Sequence, residues 1–298
     1  MRRSEVGPLS SSWRRCADAN YAVPSLAYFG HSLPACSFSN VTIEIARSLT
    51  LEFIGVSVNF GGLQALDDVS FQVKEREIVG LIGPNGAGKT TAFNVACGFL
   101  KPTSGEVHFP EIGRKGLKPA LLARAGIART LQGVGLFDHL SILENVMAGA
   151  QSRHEGGVIT SLLGLPRGLR AERALRAEAL EKLDQLGIAS IATTLPNAIP
   201  YGMAKKVSIA RALMTHPTLL MLDEPASGLD ERELEEFAAL IIELHSSMSI
   251  LLVEHNMDFV MPLVHKLIVL NFGQVIATGS PDAISSNTDV LAAYLGVD

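Results

Sequence analysis

With 298 residues, a net charge of −5, 47% hydrophobic and only 18% charged residues, the chain has material for one or two packed domains. The acidic balance excludes the electropositive footprint of a nucleic-acid binder, and no apolar run reaches the ~18 residues that would read as a membrane-spanning helix. Cys16, Cys36 and Cys97 are too few and too scattered for a disulfide framework or a zinc site, and they fit a reducing compartment. A surface this lean in charge suggests that a partner covers part of it.

Residues 1–48 mix Ser, Pro, Arg and isolated aromatics without a sustained period. The continuous apolar segment of a secretory leader is missing. The segment reads as a weakly ordered extension or a wrongly assigned start. Organised sequence begins near Leu51: LEFIGVSVNF and ALDDVSFQV read as strands joined by a turn at FGGL. Glu77–Gly83 is a short apolar strand, and GPNGAGKTT follows it. Gly83, Gly88, Lys89 and Thr90 match the phosphate-loop template, and Thr91–Leu100 continues as a helix. The glycines allow the backbone N–H groups of Gly83, Pro84, Asn85, Gly86, Ala87, Gly88, Lys89, Thr90 and Thr91, proline excepted, to converge on an anion. The helix N-terminus adds its positive end. Lys89 is expected to reach the β- and γ-phosphates, and the Thr90 hydroxyl to ligate Mg²⁺.

KPTSGEVHF reads as a turn into another strand, and from about 117 to 188 the helical period dominates, with Leu175, Ala179, Leu183 and Leu186 on one face. Leu219–Leu222 and Ile250–Val253 read as buried parallel strands. Between them Glu231–His245 is amphipathic, turning Leu234, Phe237, Ile241 and Leu244 inward behind a candidate N-cap, Asp230. Leu267–Gly279 reads as a hairpin turning near Asn271–Gly273. LLMLDEP ends a strand in adjacent carboxylates: Asp223 is placed to hold Mg²⁺ through water, and Glu224 to deprotonate an attacking water.

Gln132 in TLQGVGLF, SGLD at Ser227–Asp230, His255 after SILLVE and IPYGMAKKVSIARAL at Ile199–Leu213 complete an ordered set. From about Leu51 onward the chain resembles the nucleotide-binding subunit of an ATP-binding-cassette (ABC) transporter. The family's adenine-stacking aromatic, Walker A, Q-loop, signature, Walker B, D-loop and H-loop appear in its order.

That resemblance implies an α/β fold: a P-loop NTPase (RecA-like) core, an antiparallel β subdomain and an inserted α-helical subdomain. The cassette would span 49–298, with the helical insertion at about 117–210. It further implies that Phe60 stacks on adenine, that Gln132 senses Mg²⁺ or water and communicates with the membrane subunit, and that His255 contacts the γ-phosphate. Tyr201 and Gly202 would present the signature to the partner's nucleotide, and Asp230 would lie at the dimer seam. Glu224, His255, Lys89 and Gln132 form the catalytic set, and Thr90, Gln132 and Asp223 the metal set. The alternatives are that Phe60 merely packs within its strand pair and that Asp230 only caps its helix.

The signature departs from the common LSGGQ: Pro200 replaces the serine and removes both of its donors, and Met203 replaces the glutamine. NFGGLQALDDVSF, RTLQGVGLFDHLSILENV, VEHNMDFVM and AAYLG resemble the branched-chain amino-acid importers, and residues 149–170 resemble the larger of their two ATPase subunits. The resemblance implies an ATP-hydrolysing importer subunit, peripheral on the cytoplasmic face of the inner membrane, with ATP and Mg²⁺ as ligands. Its partners would be permease subunits, a second identical or paralogous cassette and, indirectly, a periplasmic or lipid-anchored substrate-binding protein, with no nucleic acid. A poorly hydrolysing regulatory cassette and a soluble non-transport ABC ATPase are the alternatives.

Overall fold

The computed structural model describes residues 49–110, 118–130, 133–152 and 166–295. The extension at 1–48 and Gln132 lie outside them, as does most of the stretch 149–170. β1 (Leu49–Phe60) and β2 (Leu63–Lys74) form the expected antiparallel hairpin, and β4 (Ser104–His108) pairs with the other edge of β1. Phe53 and Phe71, opposite one another in the register, stack with ring centroids 4.3 Å apart.

The larger sheet runs β5-β6-β7-β3-β8-β9. Its members are β3 (Ile78–Ile82), β5 (Ile127–Arg129), β6 (Leu219–Asp223), β7 (Ser249–Val253), β8 (Lys266–Asn271) and β9 (Gln274–Gly279). All pairs are parallel except β8–β9, the hairpin expected from the Asn271–Gly273 turn.

Both faces of this sheet are buried, which explains why its strands read as continuous apolar runs rather than alternating ones. Leu220 and Leu222 of β6, Ile250 and Leu252 of β7, and Leu267 and Val269 of β8 enter one core with the helices. Their neighbours Leu219, Met221, Leu251, Val253, Ile268 and Leu270 enter a second core. That core is shared with the antiparallel sheet and with α1 (Lys89–Ala96).

The helical layer comprises α2 (Ile142–Ala148), α3 (Pro166–Gln185) and α4 (Tyr201–Leu213). Ala179, Leu183 and Leu186 are buried as the sequence period predicts, with Leu175 partly so. α5 (Glu231–His245) begins at Asp230 with a reciprocal capping box to Glu233, an arrangement typically worth about 1 kcal/mol. Three short helices follow: α6 (Met257–Val260), α7 (Pro281–Ser285) and α8 (Thr288–Leu295).

The helical period expected over 117–188 is broken by β5. Three residues are too few to register as a strand by periodicity, yet Ile127 and Ala128 are buried and pair with β6.

Candidate nucleotide-binding and catalytic site

The phosphate loop joins β3 to α1 at the C-terminal edge of the parallel strands, the usual ligand edge of an open α/β sheet. Its backbone is fixed from two sides. Gly273 N–H donates to the Ala87 carbonyl at 3.0 Å, and the Gly273 carbonyl accepts from Asp67 N–H at 2.8 Å. The loop, β2 and the β8–β9 turn are thus one hydrogen-bonded unit. At Gly83 (φ 152°) a Cβ would lie 2.1 Å from the Leu270 carbonyl oxygen, and at Gly88 (φ 101°) 2.6 Å from that of Ala65, so glycine is required at both.

Lys89 is buried at the start of α1 and donates to the carbonyls of Gly83 (2.7 Å) and Pro84 (2.8 Å). Burial lowers its pKa, an effect opposed by the carboxylates of Glu224 and Glu254. Thr90 and Thr91 occupy the next two helical positions, with Thr90 exposed.

β6 ends in Asp223, buried, with Oδ2 3.4 Å from Arg129 Nη2. Burial raises the Asp223 pKa; Arg129 works against this, and Glu224 adds to it. Arg129 in turn donates to Asn94 Oδ1 at 3.0 Å and lies 4.7 Å from the Phe93 ring centroid, joining the end of β5 to α1.

Glu224 turns out of the strand at φ 47°, the left-handed region that is uncommon for a residue with a side chain. Its N–H donates to the Val253 carbonyl at 2.9 Å, and its Oε1 lies 3.9 Å from His255 Nδ1. Lys89, Asp223, Glu224 and His255 therefore meet at the ends of adjacent strands β3, β6 and β7.

Pro200 is the N-cap of α4 and makes no side-chain capping bond. Tyr201 is exposed and Gly202 buried. A Cβ at Gly202 would lie 2.4 Å from Glu233 Oε1, so α4 begins in contact with the start of α5. Asp230 is engaged in capping that helix. Phe60, half exposed, stands at the tip of the β1–β2 hairpin, paired with Leu63.

Two participants were not singled out in the sequence. Glu254 is fully buried and accepts backbone N–H bonds from Ala226 (2.6 Å), His255 (3.0 Å) and Asn256 (3.3 Å). Its only signal was a carboxylate ending an apolar strand beside His255. Tyr294 of α8 keeps part of its ring exposed, but desolvation of its hydroxyl pushes the pKa up to about 12, offset in part by a hydrogen bond with the Gly83 backbone. A residue so far along the chain gives no local sign of touching the phosphate loop.

The model of the family described as ABC transporter matches residues 66–227, more than half of the chain. The chain belongs to the ABC transporter family. Membership makes it a P-loop ATPase coupled to transport, as the ordered motifs imply. A second model, described as branched-chain amino acid ATP-binding cassette transporter, matches residues 274–298 of the cassette.

The cassette is 41% identical over 244 residues to the high-affinity branched-chain amino acid transport ATP-binding protein LivG of Salmonella typhimurium, covering 81% of this chain and 96% of that protein. It is 39% identical over 249 residues to BraF of Pseudomonas aeruginosa, which carries the same description, covering 83% and 97%. Among solved structures, a nucleotide-free ATP-binding cassette from an ABC transporter superposes with TM-score 0.72 at 30% identity, covering 83% of this chain and 98% of that one. The dimeric structure of MJ0796, a bacterial ABC transporter cassette, superposes with TM-score 0.65 at 26% identity, covering 78% and 98%. Among the described residues no helix is long and apolar enough to cross a membrane.

Proposed function

We propose that this cassette hydrolyses ATP to drive import of branched-chain amino acids or related small amides. It would work as a peripheral protein on the cytoplasmic face of the inner membrane, bound to permease subunits that receive substrate from a periplasmic or lipid-anchored binding protein. The observation that carries the reading is the convergence of Lys89, Asp223, Glu224 and His255 at one sheet edge. The relatives' names supply the transported class, and the dimeric neighbour supports a second cassette, identical or paralogous.

The glycine-rich backbone and α1 would hold the phosphates, with Lys89 adding its charge. Phe60 would stack on adenine, a role its exposed ring allows. Thr90, exposed at the start of α1, and Asp223, at the end of β6, are oxygen donors that suit Mg²⁺, which commonly takes one or two carboxylates, waters and substrate phosphates. When bound, Mg²⁺ neutralises charge on the transferring phosphate. Glu224 would accept the proton of the attacking water, and His255 would orient on the γ-phosphate. Gln132 would couple the site to the permease, and Tyr201, Gly202 and Asp230 would meet the partner's nucleotide.

ATP hydrolysis by the cassette assembled with its permease and partner cassette tests this, compared with Glu224→Gln. Removal of a general base should lower turnover by about 10²–10⁴-fold while nucleotide binding persists. A Glu224→Gln assembly that turns over at the wild-type rate would remove Glu224 from the role.

A second reading, a regulatory cassette that hydrolyses poorly, is favoured by Pro200, which offers neither an N–H nor a hydroxyl at the head of α4. Nucleotide binding with no Glu224-dependent turnover in any assembly would select it.

A further inference from the structure

We infer that Lys205 is a positioning residue for hydrolysis, fastening the backbone that carries Glu224 to the chain's own signature helix and so linking the two nucleotide sites of a cassette dimer. The inference rests on the hydrolytic function proposed above.

Lys205 lies in the second turn of α4 and is buried. Its ammonium does not cap its own helix. It crosses to the segment after β6 and donates to the carbonyls of Glu224 (3.3 Å), Pro225 (2.6 Å) and Ser227. Three donors meet three carbonyls, the full complement that an ammonium requires when withdrawn from water. The Tyr201 ring, 5.3 Å from Nζ, closes the remaining side. Burial lowers the Lys205 pKa, while Glu254, Glu224 and Glu233 favour its charged form.

The carbonyls it holds matter because of the conformation they stabilise. Glu224 sits at φ 47°, where a residue with a Cβ is strained, so its carboxylate is aimed only as firmly as its backbone is anchored. The N–H side is anchored by Val253, and the following loop by Glu254 through Ala226 N–H. Lys205 supplies the carbonyl side. A hydrocarbon of similar length would leave three carbonyls of a tight, partly buried turn without this donor.

The same lysine is rigidly tied to the head of α4. Tyr201 packs on Gly228, where a Cβ would come within 2.9 Å of Cε1, and Gly202 packs on Glu233. In the dimer proposed above, the head of α4 would serve the partner's nucleotide, whereas Glu224 would serve the nucleotide on its own phosphate loop. A shift of α4 on closing over one ATP therefore displaces the carbonyls that orient the base at the other.

The test uses the full chain assembled with its permease and partner cassette, measuring steady-state ATP hydrolysis and binding of a fluorescent ATP analogue. Lys205→Met should lower kcat by about 10-fold or more, leave KM and analogue affinity within about 3-fold, and reduce the Hill coefficient for ATP toward unity. Lys205→Arg, which keeps the charge and donors, should recover most of the rate. In a Glu224→Gln background, Lys205→Met should cost nothing further, because the lysine acts through the carboxylate that has already been removed.

Wild-type kcat in Lys205→Met, or an undiminished loss in the Glu224→Gln background, would overturn the inference. Should the Met variant fail to fold, Lys205→Gln, which loses the charge and whose amide nitrogen stops one bond short of the Nζ position, carries the same comparisons. A wild-type assembly without turnover would instead overturn the hydrolytic function on which the inference rests.

Discussion

Replacing Glu254 by Gln changes one atom in a fully buried side chain, and the structure states what that atom was doing. Oε1 accepts the Ala226 N–H at 2.6 Å, and Oε2 accepts those of His255 at 3.0 Å and Asn256 at 3.3 Å. An amide has one acceptor oxygen. Its better orientation places that oxygen at the Oε2 position, which turns the NH₂ group against the Ala226 N–H. A charge-assisted bond worth about 1.5–3 kcal/mol is lost, a buried donor is orphaned, and the two retained bonds lose their charge. We expect a destabilisation of about 3 kcal/mol, or a fall in melting temperature of roughly 6–12 °C for a domain of this size. Far-ultraviolet circular dichroism in a urea titration measures it. Glu243→Gln, an exposed position, serves as the control and should stay within about 0.5 kcal/mol. Hydrolysis should fall as well, since Ala226 and His255 flank Glu224. A loss below about 1 kcal/mol would show that the three N–H bonds do not organise the loop, and the reasoning would fail.

Lys89→Ala removes the charge proposed to hold the phosphates and should weaken ATP binding by about 10-fold or more, read by titration calorimetry; unchanged affinity would place the phosphates elsewhere. Gly83→Ala drives a Cβ to 2.1 Å from the Leu270 carbonyl oxygen, so the loop must shift, and nucleotide affinity should fall more than thermal stability does. Asp223→Asn carries a pH signature. The folded protein holds the Asp223 proton more tightly than the unfolded chain, whose pKa is near 3.8, so wild-type stability declines as pH rises from there through the raised value. The Asn variant lacks this decline, and its stability relative to wild type should increase across that window; a flat difference would mean that Asp223 is not destabilised by burial.

Much of this site was legible because its chemistry is local in sequence. The phosphate loop, the Asp223–Glu224 pair and His255 each occupy a strand end, and an apolar run followed by polar residues marks such an end. The capping box of α5 was visible for the same reason: Asp230 and Glu233 are three positions apart. What could not be read depends on contacts across the chain. β5 has three residues and is a strand only because β6 lies beside it. Glu254 looks like a polar terminus until three backbone amides are seen to converge on it. Lys205 resembles an ordinary helix lysine, and the carbonyls it holds are 19 to 22 residues away.

The two-sided burial of the large sheet makes residue parity consequential. Leu251 and Leu252 are covalent neighbours in β7, yet one fills the core shared with α1 and the other fills the core shared with the helical layer. An enlarged side chain at the first pushes toward α1, which follows the phosphate loop, and at the second toward the helical layer that includes α4. Adjacent substitutions should therefore separate into two phenotypes, altered ATP affinity at Leu251 and Val253 and altered turnover at Ile250 and Leu252.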